Sequence, residues 1–403
     1  MENLPFTSFQ AISRAAVGRD LVCFGAADIA MKTIRRLNRR PVASVDNNPN
    51  SWGSTFGGLP VNPPAFLLED PNRRPFIVIC STSFGEIAQQ LVGMGFVPER
   101  DFSVSPILND LRIIAEMEGY KARLLFTSGA VPKDEPLVGG GVYELVLDGL
   151  EWRHRKLLSG NTHGLMHFEG GFIAVDDLQG LVHFDQDFQI VRTRELPAGV
   201  RGHGIDYSEL TQRFYVAAAH RDAILVLDRD LRIVDTIPIS SKLDREGKPM
   251  HHINDLCVVE SSLYISMFSI TGNWTRDVFD GGILEIDITR NEKTGAVITD
   301  LWMPHNILYL DGSLTVLDSL RGQLRRYNAL PIGEFPGFSR GLAYDGAMFF
   351  VGQSRNRNYS KYMGLSKNIS IDASIIVFDE HTKISRSLQL PPRLSEIHAI
   401  VAI

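Results

Sequence analysis

A short motif that occurs six times after residue 160 is the sequence feature that most constrains the fold of this chain. Each copy has a polar residue, a small or polar residue and then an aliphatic residue. The lead residues are His163, His203, Asn254, His305, Arg340 and His398, at spacings of 40, 51, 51, 35 and 58 residues. Further alternating apolar segments follow most copies, so that an interval holds about four strands. Four strands in such an interval are typical of one propeller blade.

The sixth copy of the motif ends at Ile403, after a single strand. Alternating segments that can supply its missing strands lie earlier in the chain, at residues 123–127, 142–146 and 152–156. Pairing between the two ends would remove both open sheet edges. The sequence therefore predicts an all-β six-bladed propeller over residues 119–403, with the last blade closed by the C-terminal strand.

The first part of the chain has a different pattern. Apolar segments at residues 21–24, 42–45 and 76–80 alternate with helical patterns at 28–37 and 84–94. Such alternation is typical of a small parallel sheet covered by helices on both faces. We predict an α/β Rossmann-like domain over residues 1–118.

A degenerate nucleotide-binding pattern lies in this first domain. Gly25 follows the first predicted strand, and Asp46 ends the second, 21 residues later. An acidic residue at that place can bind a ribose hydroxyl. Gly25 and Asp46 therefore predict a site for a nucleotide or nucleotide sugar. The alternative is a structural or docking domain.

The lead residues of the motif predict the functional site. The first strand of each blade lines the central channel, so these residues should converge at one end of it. Four of the eleven histidines hold this position. We predict His163, His203, His305 and His398 as ligands of a divalent transition metal (Zn, Mn or Fe). Arg340, Asn254 and His252 are the predicted catalytic residues. Two alternatives are a structural plug of the channel and metal-free acid–base catalysis by one histidine.

Two long loops and several turns should lie at the same end of the channel. The loop at residues 269–281 contains Trp274, and the loop at 354–371 contains Arg355, Arg357 and Tyr359. The second loop is basic, which suits an anionic substrate, although it can equally be a solvated surface loop. Polar residues of the turns after the second strands are Asp176, Asp177, His220, Asp318, Arg321 and Gln353. We predict Arg355, Arg357, Tyr359, Gln353 and Trp274 as substrate-binding residues.

Composition excludes several classes of protein. A hydrophobic fraction of 44% argues against intrinsic disorder, and a net charge of −6 without a long basic run argues against nucleic-acid binding. No segment approaches the roughly eighteen consecutive apolar residues of a membrane span. Three cysteines give no disulfide framework, and the N-terminal residues lack a signal-peptide pattern. We expect a cytoplasmic protein with a small-molecule partner, and the oligomeric state stays open.

Two resemblances extend these predictions. Phe24-Gly-Ala, Ser44-Val-Asp-Asn-Asn-Pro and Gly57-Gly-Leu-Pro-Val resemble the Rossmann-like domain of sugar-modifying enzymes in polysaccharide and natural-product pathways. In acyltransferase relatives that domain holds a nucleotide sugar. Residues 120–403 resemble the six-bladed propellers of strictosidine synthase, the gluconolactonase-like calcium enzymes and the peptidyl-amidating lyase. Asn254-Asp255 is similar to an Asn-Asp step of the gluconolactonase group, and the histidine ring is similar to that around the zinc of the lyase.

Three functions follow from these features. The first is a metal-dependent lyase, hydrolase or epimerase that acts on a small anionic or glycosyl substrate at the histidine-lined channel. The second is a non-catalytic ligand-binding or scaffold propeller whose N-terminal domain binds a nucleotide or a partner. The third, and the least favoured by the degenerate glycine pattern, is a dinucleotide-dependent oxidoreductase.

Overall fold

The computed structural model describes residues 8–70, 74–129, 136–326, 331–355 and 368–403. Contacts between Cα atoms divide the chain into two compact units, Met1–Glu118 and Gly119–Ile403. The described helices are short, the longest being the 14-residue Pro106–Gly119. In the described ranges, no helix combines the length and the apolarity that a bilayer crossing requires.

The first unit is built on one mixed sheet of six strands. In chain order these are β1 Leu21–Phe24, β2 Ala43–Val45, β3 Thr55–Phe56, β4 Leu59–Asn62, β5 Phe76–Ile79 and β6 Phe102–Val104. Their spatial order is β3-β4-β2-β1-β5-β6, and only β3 and β4 pair antiparallel. The helices of the unit are α1 Phe9–Ala15, α2 Asp28–Ile34, α3 Phe84–Gly93 and α4 Pro106–Gly119.

Residues of the central strands alternate between two apolar cores. Val22 and Phe24 pack into one cluster, and Leu21 and Cys23 pack into the other. Burial on both faces explains why these strands read as continuous apolar segments rather than as an alternating pattern. The predicted three-stranded parallel sheet is therefore the centre of a larger mixed sheet. The predicted helix at 28–37 ends at Ile34, and helix α4 was not predicted.

The second unit is a six-bladed propeller, as the repeat predicts. Six four-stranded antiparallel sheets follow one another, and neighbouring strands in each sheet are neighbours in sequence except where the ring closes. We number blades 1–5 in chain order and call the closing sheet blade 6. The strands of blade 1 are Thr162–Phe168, Gly171–Asp176, Gly180–Phe184 and Ile190–Arg194. Those of blade 2 are Gly202–Ser208, Arg213–Ala218, Ala223–Leu227 and Ile233–Pro238.

The other blades repeat this plan. The strands of blade 3 are Ile253–Val259, Ser262–Met267, Gly281–Asp287 and Glu292–Leu301. Those of blade 4 are His305–Leu310, Ser313–Asp318, Gln323–Arg326 and Pro331–Glu334. Those of blade 5 are Phe338–Tyr344, Phe349–Ser354, Ser374–Phe378 and Ser385–Gln389. Two short helices lie between strands, Pro136–Gly139 and Lys242–Glu246.

Blade 6 closes the ring with strands from both ends of the unit. Its inner strand is Ile400–Ala402, which pairs antiparallel with Lys121–Ser128. Gly141–Asp148 and Glu151–Ser159 complete the sheet. The predicted closure by the C-terminal strand is confirmed. It leaves no open sheet edge between the first and last blades.

One buried hydroxyl joins the closing blade to blade 1. The Thr127 hydroxyl donates to the carbonyl of His163 at 2.9 Å and accepts the N–H of Ala399 at 2.9 Å. Thr127 therefore contacts both the C-terminal segment and the inner strand of blade 1. Because its side chain is fully buried, water cannot replace these two bonds in the folded chain.

We expect Thr127→Val to lower the free energy of unfolding of the propeller by about 2–4 kcal/mol, because it leaves two buried backbone groups without partners. Thr127→Ser keeps the hydroxyl and should lose about 1 kcal/mol, from the missing methyl group. Urea unfolding followed by tryptophan fluorescence measures both values. Equal losses in the two variants would show that the hydroxyl does not hold the closure.

Candidate functional site

Five of the six lead residues of the motif meet around one cavity in the propeller. This cavity has a volume of about 20 Å³, large enough for about one water molecule. The residues lining it are His163, His203, Gly204, Asn254, Asp255, His305, Asn306 and His398. The sixth lead residue, Arg340, is held next to His398, because its Nη1 lies 3.6 Å from Oε2 of Glu396, which also contacts His398. We call this set, with Asp177, His252 and Trp274, the channel site.

A β-bulge places each lead side chain. The pairing of the inner strand with the second strand shifts register at the lead residue or, in blade 4, directly after it, in each of blades 1–5. A bulge leaves an extra residue outside the regular ladder and re-aims its side chain. The same distortion at the same repeat position therefore turns five polar side chains toward the axis.

Glycine follows the lead residue where neighbouring inner strands come closest. A Cβ atom on Gly164 would lie 2.2 Å from the carbonyl oxygen of His203. A Cβ atom on Gly204 would lie 2.0 Å from Oδ1 of Asp255. Neither space can hold a side chain. The packing of one blade on the next therefore requires glycine at the second motif position of blades 1 and 2.

The imidazole rings of the channel site pack on one another. The rings of His163 and His203 are stacked at 4.5 Å between centroids, with an angle of 7° between their planes. The ring of His398 meets that of His163 edge-on at 4.4 Å. His252 lies farther out, 6.2 Å from His203, and stacks on Phe268 at 4.3 Å. Trp274 lies 5.3 Å from His252, so the predicted loop residue reaches the site.

Burial keeps four of these histidines neutral. Desolvation, followed by the charge of Arg201, lowers the pKa of His252 to about 3. Desolvation and the neighbouring His163 lower the pKa of His398 to about 3. Desolvation also lowers the pKa values of His203 and His305 well below the ordinary value. At neutral pH these rings are therefore uncharged, which lets them pack closely without repulsion.

Two carboxylate groups each contact one imidazole of the channel site. Asp177 Oδ2 lies 3.1 Å from Nε2 of His163. Burial acts to raise the pKa of Asp177, but the hydrogen bond from His163 and the nearby charge of Arg201 help to outweigh it and leave that pKa below its ordinary value. Asp177 is thus an acceptor, and in the neutral form of His163 it fixes the proton on Nε2 and leaves the lone pair on Nδ1. In blade 6, Oε2 of Glu396 lies 3.0 Å from Nε2 of His398.

Three buried polar atoms of the channel site have no hydrogen-bond partner among the described residues. These are Nδ1 of His163, Nε2 of His203 and Oδ1 of Asn254. The amide group of Asn254 donates to the carbonyl of His252 at 3.2 Å, which directs Oδ1 away from that bond. The lone pair on His163 and the Asn254 oxygen are acceptors, so the cavity suits a ligand group with O–H or N–H donors.

The geometry of the rings does not fit a single ion held by all four predicted ligands. An ion in line with an imidazole lone pair lies in the plane of that ring, and the stacked rings of His163 and His203 share no plane. Nε2 of both His163 and His398 faces a carboxylate, and Nδ1 of His305 faces the Ser319 hydroxyl at 2.8 Å. Within the part of the chain that the structure describes, no group of three or more His, Cys, Asp and Glu side chains is arranged to hold a metal. The Zn, Mn or Fe ion stays a prediction.

The other predicted substrate-binding residues are less closely grouped. Gln353 is buried, and its amide donates to the carbonyl of Asp372 at 2.8 Å. Arg355 is exposed, and its backbone N–H donates to the carbonyl of Ser395 at 2.7 Å. Arg357 and Tyr359 lie outside the described residues.

Sequence reasoning missed Glu396, the partner of His398. Glu396 and His398 are two residues apart, and residues so spaced in an extended segment point to the same side. The pattern Glu-Ile-His was therefore a usable signal. Asp177 was expected only as a polar turn residue, and its bond to His163 depends on how the turn folds.

In the first unit, Gly25 and Asp46 are neighbours. The backbone N–H of Gly25 donates to the carbonyl of Val45 at 2.7 Å, and Gly25 has φ +120°. A Cβ atom on Gly25 would lie 2.9 Å from the carbonyl oxygen of Cys80, so glycine is required there. The Asp46 carboxylate accepts the N–H groups of Ala26 and Asn48 at 2.9 and 2.8 Å. These bonds fix the strand-to-helix turn.

A family model described as a domain of unknown function, DUF4915, matches residues 111–403. The chain belongs to the DUF4915 family. The matched region includes every residue of the channel site. No curated protein sequence matches the chain significantly.

Several solved structures are similar to the greater part of this DUF4915 chain. A chain of the nidogen/laminin complex has a TM-score of 0.50 at 12% identity, covering 70% of this chain and 98% of its own. Regucalcin, a calcium-binding protein from Agrobacterium tumefaciens, has a TM-score of 0.41 at 14% identity, covering 66% of this chain and 80% of its own. Hydrazine synthase of Kuenenia stuttgartiensis has a TM-score of 0.39 at 12% identity, covering 65% and 99%. At identities this low, similarity to a solved structure is evidence for the fold alone.

The buried groups of the channel predict how stability depends on pH. Below about pH 6.5 the unfolded chain protonates these four channel histidines but the folded chain does not. Their contribution to stability is therefore lost as the pH is lowered. Burial raises the pKa of Asp206 to about 6 and that of Asp255 to about 7, so these two contribute stability at low pH that is lost as pH rises. Near pH 5 the contributions of the histidines exceed those of the two aspartates, so stability falls as the pH is lowered.

We therefore expect stability to change little around pH 7 and to fall with a measurable slope as the pH is lowered through 5. His398→Gln should reduce that slope by about 1.4 kcal/mol per unit, because Gln does not titrate. The exposed His381 gives a matched control, His381→Gln, which should keep the original slope. Urea midpoints at several pH values measure these slopes, and an unchanged slope in His398→Gln would contradict the burial of a neutral ring.

Proposed function

We propose that the protein is an enzyme of lyase, hydrolase or epimerase type that acts on a small glycosyl or anionic substrate at the channel site. The His163–Asp177 pair carries this proposal. Asp177 fixes the tautomer of His163 by accepting from Nε2, and the lone pair on Nδ1 points to no protein donor among the described residues. A histidine so oriented acts as a general base toward a substrate hydroxyl or an acidic C–H.

A hydroxyl group fits the cavity. A volume of about 20 Å³ accepts one hydroxyl in place of one water. The Asn254 oxygen lines the same cavity and would accept from the substrate, which fixes its orientation. These acceptors support the glycosyl class of substrate in particular, since sugars carry many O–H donors.

The remaining predicted residues take supporting roles in this proposal. Arg340, 14% exposed at its side chain, would stabilise a developing oxyanion next to Glu396. His252 and Trp274 would form an aromatic wall for the substrate. Arg355, Gln353 and the residues Arg357 and Tyr359 would bind an anionic group of a larger substrate.

A metal-free mechanism is the version that the ring geometry supports. Elemental analysis of the purified protein tests it, and we expect no zinc, manganese or iron at stoichiometric amounts. Equimolar metal that disappears in a His163→Ala/His305→Ala double variant would overturn this version and support the predicted metal centre.

The second candidate function is a non-catalytic ligand-binding or scaffold propeller. The bonds of His305 to the Met303 carbonyl and the Ser319 hydroxyl favour it, because they make this ring part of the packing of the channel. In this alternative the histidines plug the channel, and a ligand binds without being changed.

Binding and turnover separate the two functions. Saturation-transfer NMR with a panel of neutral sugars, uronates and nucleotide sugars identifies binders, and a proton NMR time course reports their conversion. We expect binding and conversion of at least one sugar, with conversion lowered about 10²–10⁴-fold in His163→Ala and Asp177→Asn. His167, on the same strand as His163, gives the control His167→Gln, which should keep both. Binding without conversion would support the scaffold function. Binding that is unchanged in His163→Ala would show that the ligand binds outside the channel site.

We propose further that residues 1–118 form a Rossmann-like domain that binds a nucleotide or nucleotide sugar at Gly25 and Asp46, and that the protein is cytoplasmic. The parallel pairing of β4, β2, β1, β5 and β6 supports the fold. Calorimetry with a UDP-sugar and with NAD tests the site: we expect binding of the sugar nucleotide that Asp46→Ala weakens. Heat from NAD alone would favour the oxidoreductase function instead.

A further inference from the structure

A second polar cleft lies on blade 6, away from the lead residues. It has a volume of about 440 Å³ and is lined by Arg123, Glu144, Val146, Arg153, His154 and Arg155. We call it the arginine cleft. Its residues come from three adjacent strands, Lys121–Ser128, Gly141–Asp148 and Glu151–Ser159.

Strand register places the three arginines on one face of blade 6. Arg123 and Arg153 pair with Val146 from its two sides. Arg155 pairs with Glu144, one step farther along the same face. Residues that pair directly across antiparallel strands share a face of the sheet, as do residues two apart in one strand. Three arginine side chains therefore lie on the same face of the sheet as Glu144.

Glu144 fixes two of the arginines. Its side chain is 7% exposed, and Oε1 accepts from Nε of Arg123 at 2.7 Å and lies 2.6 Å from Nη2. Oε2 accepts from Nε of Arg155. Burial acts to raise the pKa of Glu144, but the bonds to Arg155 and Arg123 outweigh it, so the carboxyl stays ionised. Nη1 of Arg123 and both Nη groups of Arg155 have no hydrogen-bond partner in the described ranges.

An aromatic ring from blade 1 supports the same two side chains. Phe188 lies under the guanidinium carbons of Arg123 and Arg155, at 5.3 and 5.7 Å from the ring centroid. The planes of both guanidinium groups are thus restrained before any ligand arrives, which lowers the entropy lost on binding. The side chains remain 47% and 63% exposed, so their outer N–H groups are accessible.

The charges of the cleft do not cancel. Among the residues that line the cleft, three arginines and Glu144 leave two positive charges. Farther along the same face, Asp148 is paired with Lys121 at 2.8 Å and lies opposite Glu151. A phosphate monoester carries a charge of about −1.5 to −2 at neutral pH and accepts paired bonds from guanidinium groups. A carboxylate carries a charge of only −1.

We propose that the arginine cleft binds the phosphate monoester of a small phosphorylated metabolite. Arg123 and Arg155 present their outer N–H groups to the phosphate oxygens, and Arg153 adds a third cation. The volume of the cleft admits the organic part of a molecule such as a sugar phosphate. This site is separate from the channel site and does not depend on the function proposed there.

Calorimetry on the full-length protein with glucose 6-phosphate, inorganic phosphate, glucuronate and glucose tests the proposal. We expect both phosphates to bind, glucose 6-phosphate more tightly because its sugar also contacts the cleft. Glucuronate should bind at least about tenfold more weakly than glucose 6-phosphate, and glucose should not bind. Binding of the phosphates should weaken as salt is added.

Variants locate the binding. Arg153→Gln should weaken glucose 6-phosphate about tenfold, and it leaves both bonds of Glu144 in place. Arg155→Lys keeps the charge but not the paired N–H groups, and should also weaken binding. Arg194→Gln, on the outer strand of blade 1, is the matched control and should not. Thermal melts confirm that each variant folds. Absence of glucose 6-phosphate binding at millimolar concentration, or binding that Arg153→Gln and Arg155→Lys leave unchanged, would overturn the proposal.

Discussion

The β-bulge near the start of the inner strand in blades 1–5 is the feature on which the channel site depends. A regular ladder would alternate side chains between the two faces of a blade and send none along the axis. The register shifts at His163, His203, Asn254 and Arg340, and directly after His305, break that alternation at one level of the propeller. The site is thus a property of the repeat and not of any single loop.

Polar side chains that reach from one blade to the next hold the inner strands of neighbouring blades together. Asp206 accepts the N–H of Val258 at 2.7 Å, and Asp255 accepts that of Ile307 at 3.1 Å. Asn306 accepts the N–H of Gly341 at 2.6 Å. Apolar packing alone is not directional, whereas these bonds set the register of one blade against its neighbour.

Burial, which these bonds only partly offset, explains the unusual electrostatics of the channel. A buried carboxylate with one or two backbone donors is still costly to ionise, which is why the pKa values of Asp206 and Asp255 rise. The histidines above them lose their charge for the same reason. The interior of the propeller therefore holds many titratable groups and few charges.

The sequence predicts the propeller well because the repeat carries the strand pattern, the lead residue and the missing strands of blade 6. It cannot predict that His163 and His203 stack, since ring orientation depends on the bulge and on the approach of neighbouring blades. Nor does it reveal the arginine cleft, because Arg123 and Arg155 are 32 residues apart and meet only through strand register. In the first unit, the short strands β3 and β4 have too few residues for a period to be read.

The channel site can form only when the last blade closes the ring. His398 and Glu396 belong to the segment that leads into the closing strand Ile400–Ala402, while His163 belongs to the first blade. The edge-on contact between His398 and His163 therefore cannot exist in a chain whose ring is still open. Assembly of the site and completion of the fold become one event, and any partly folded propeller lacks the chemistry of the finished one.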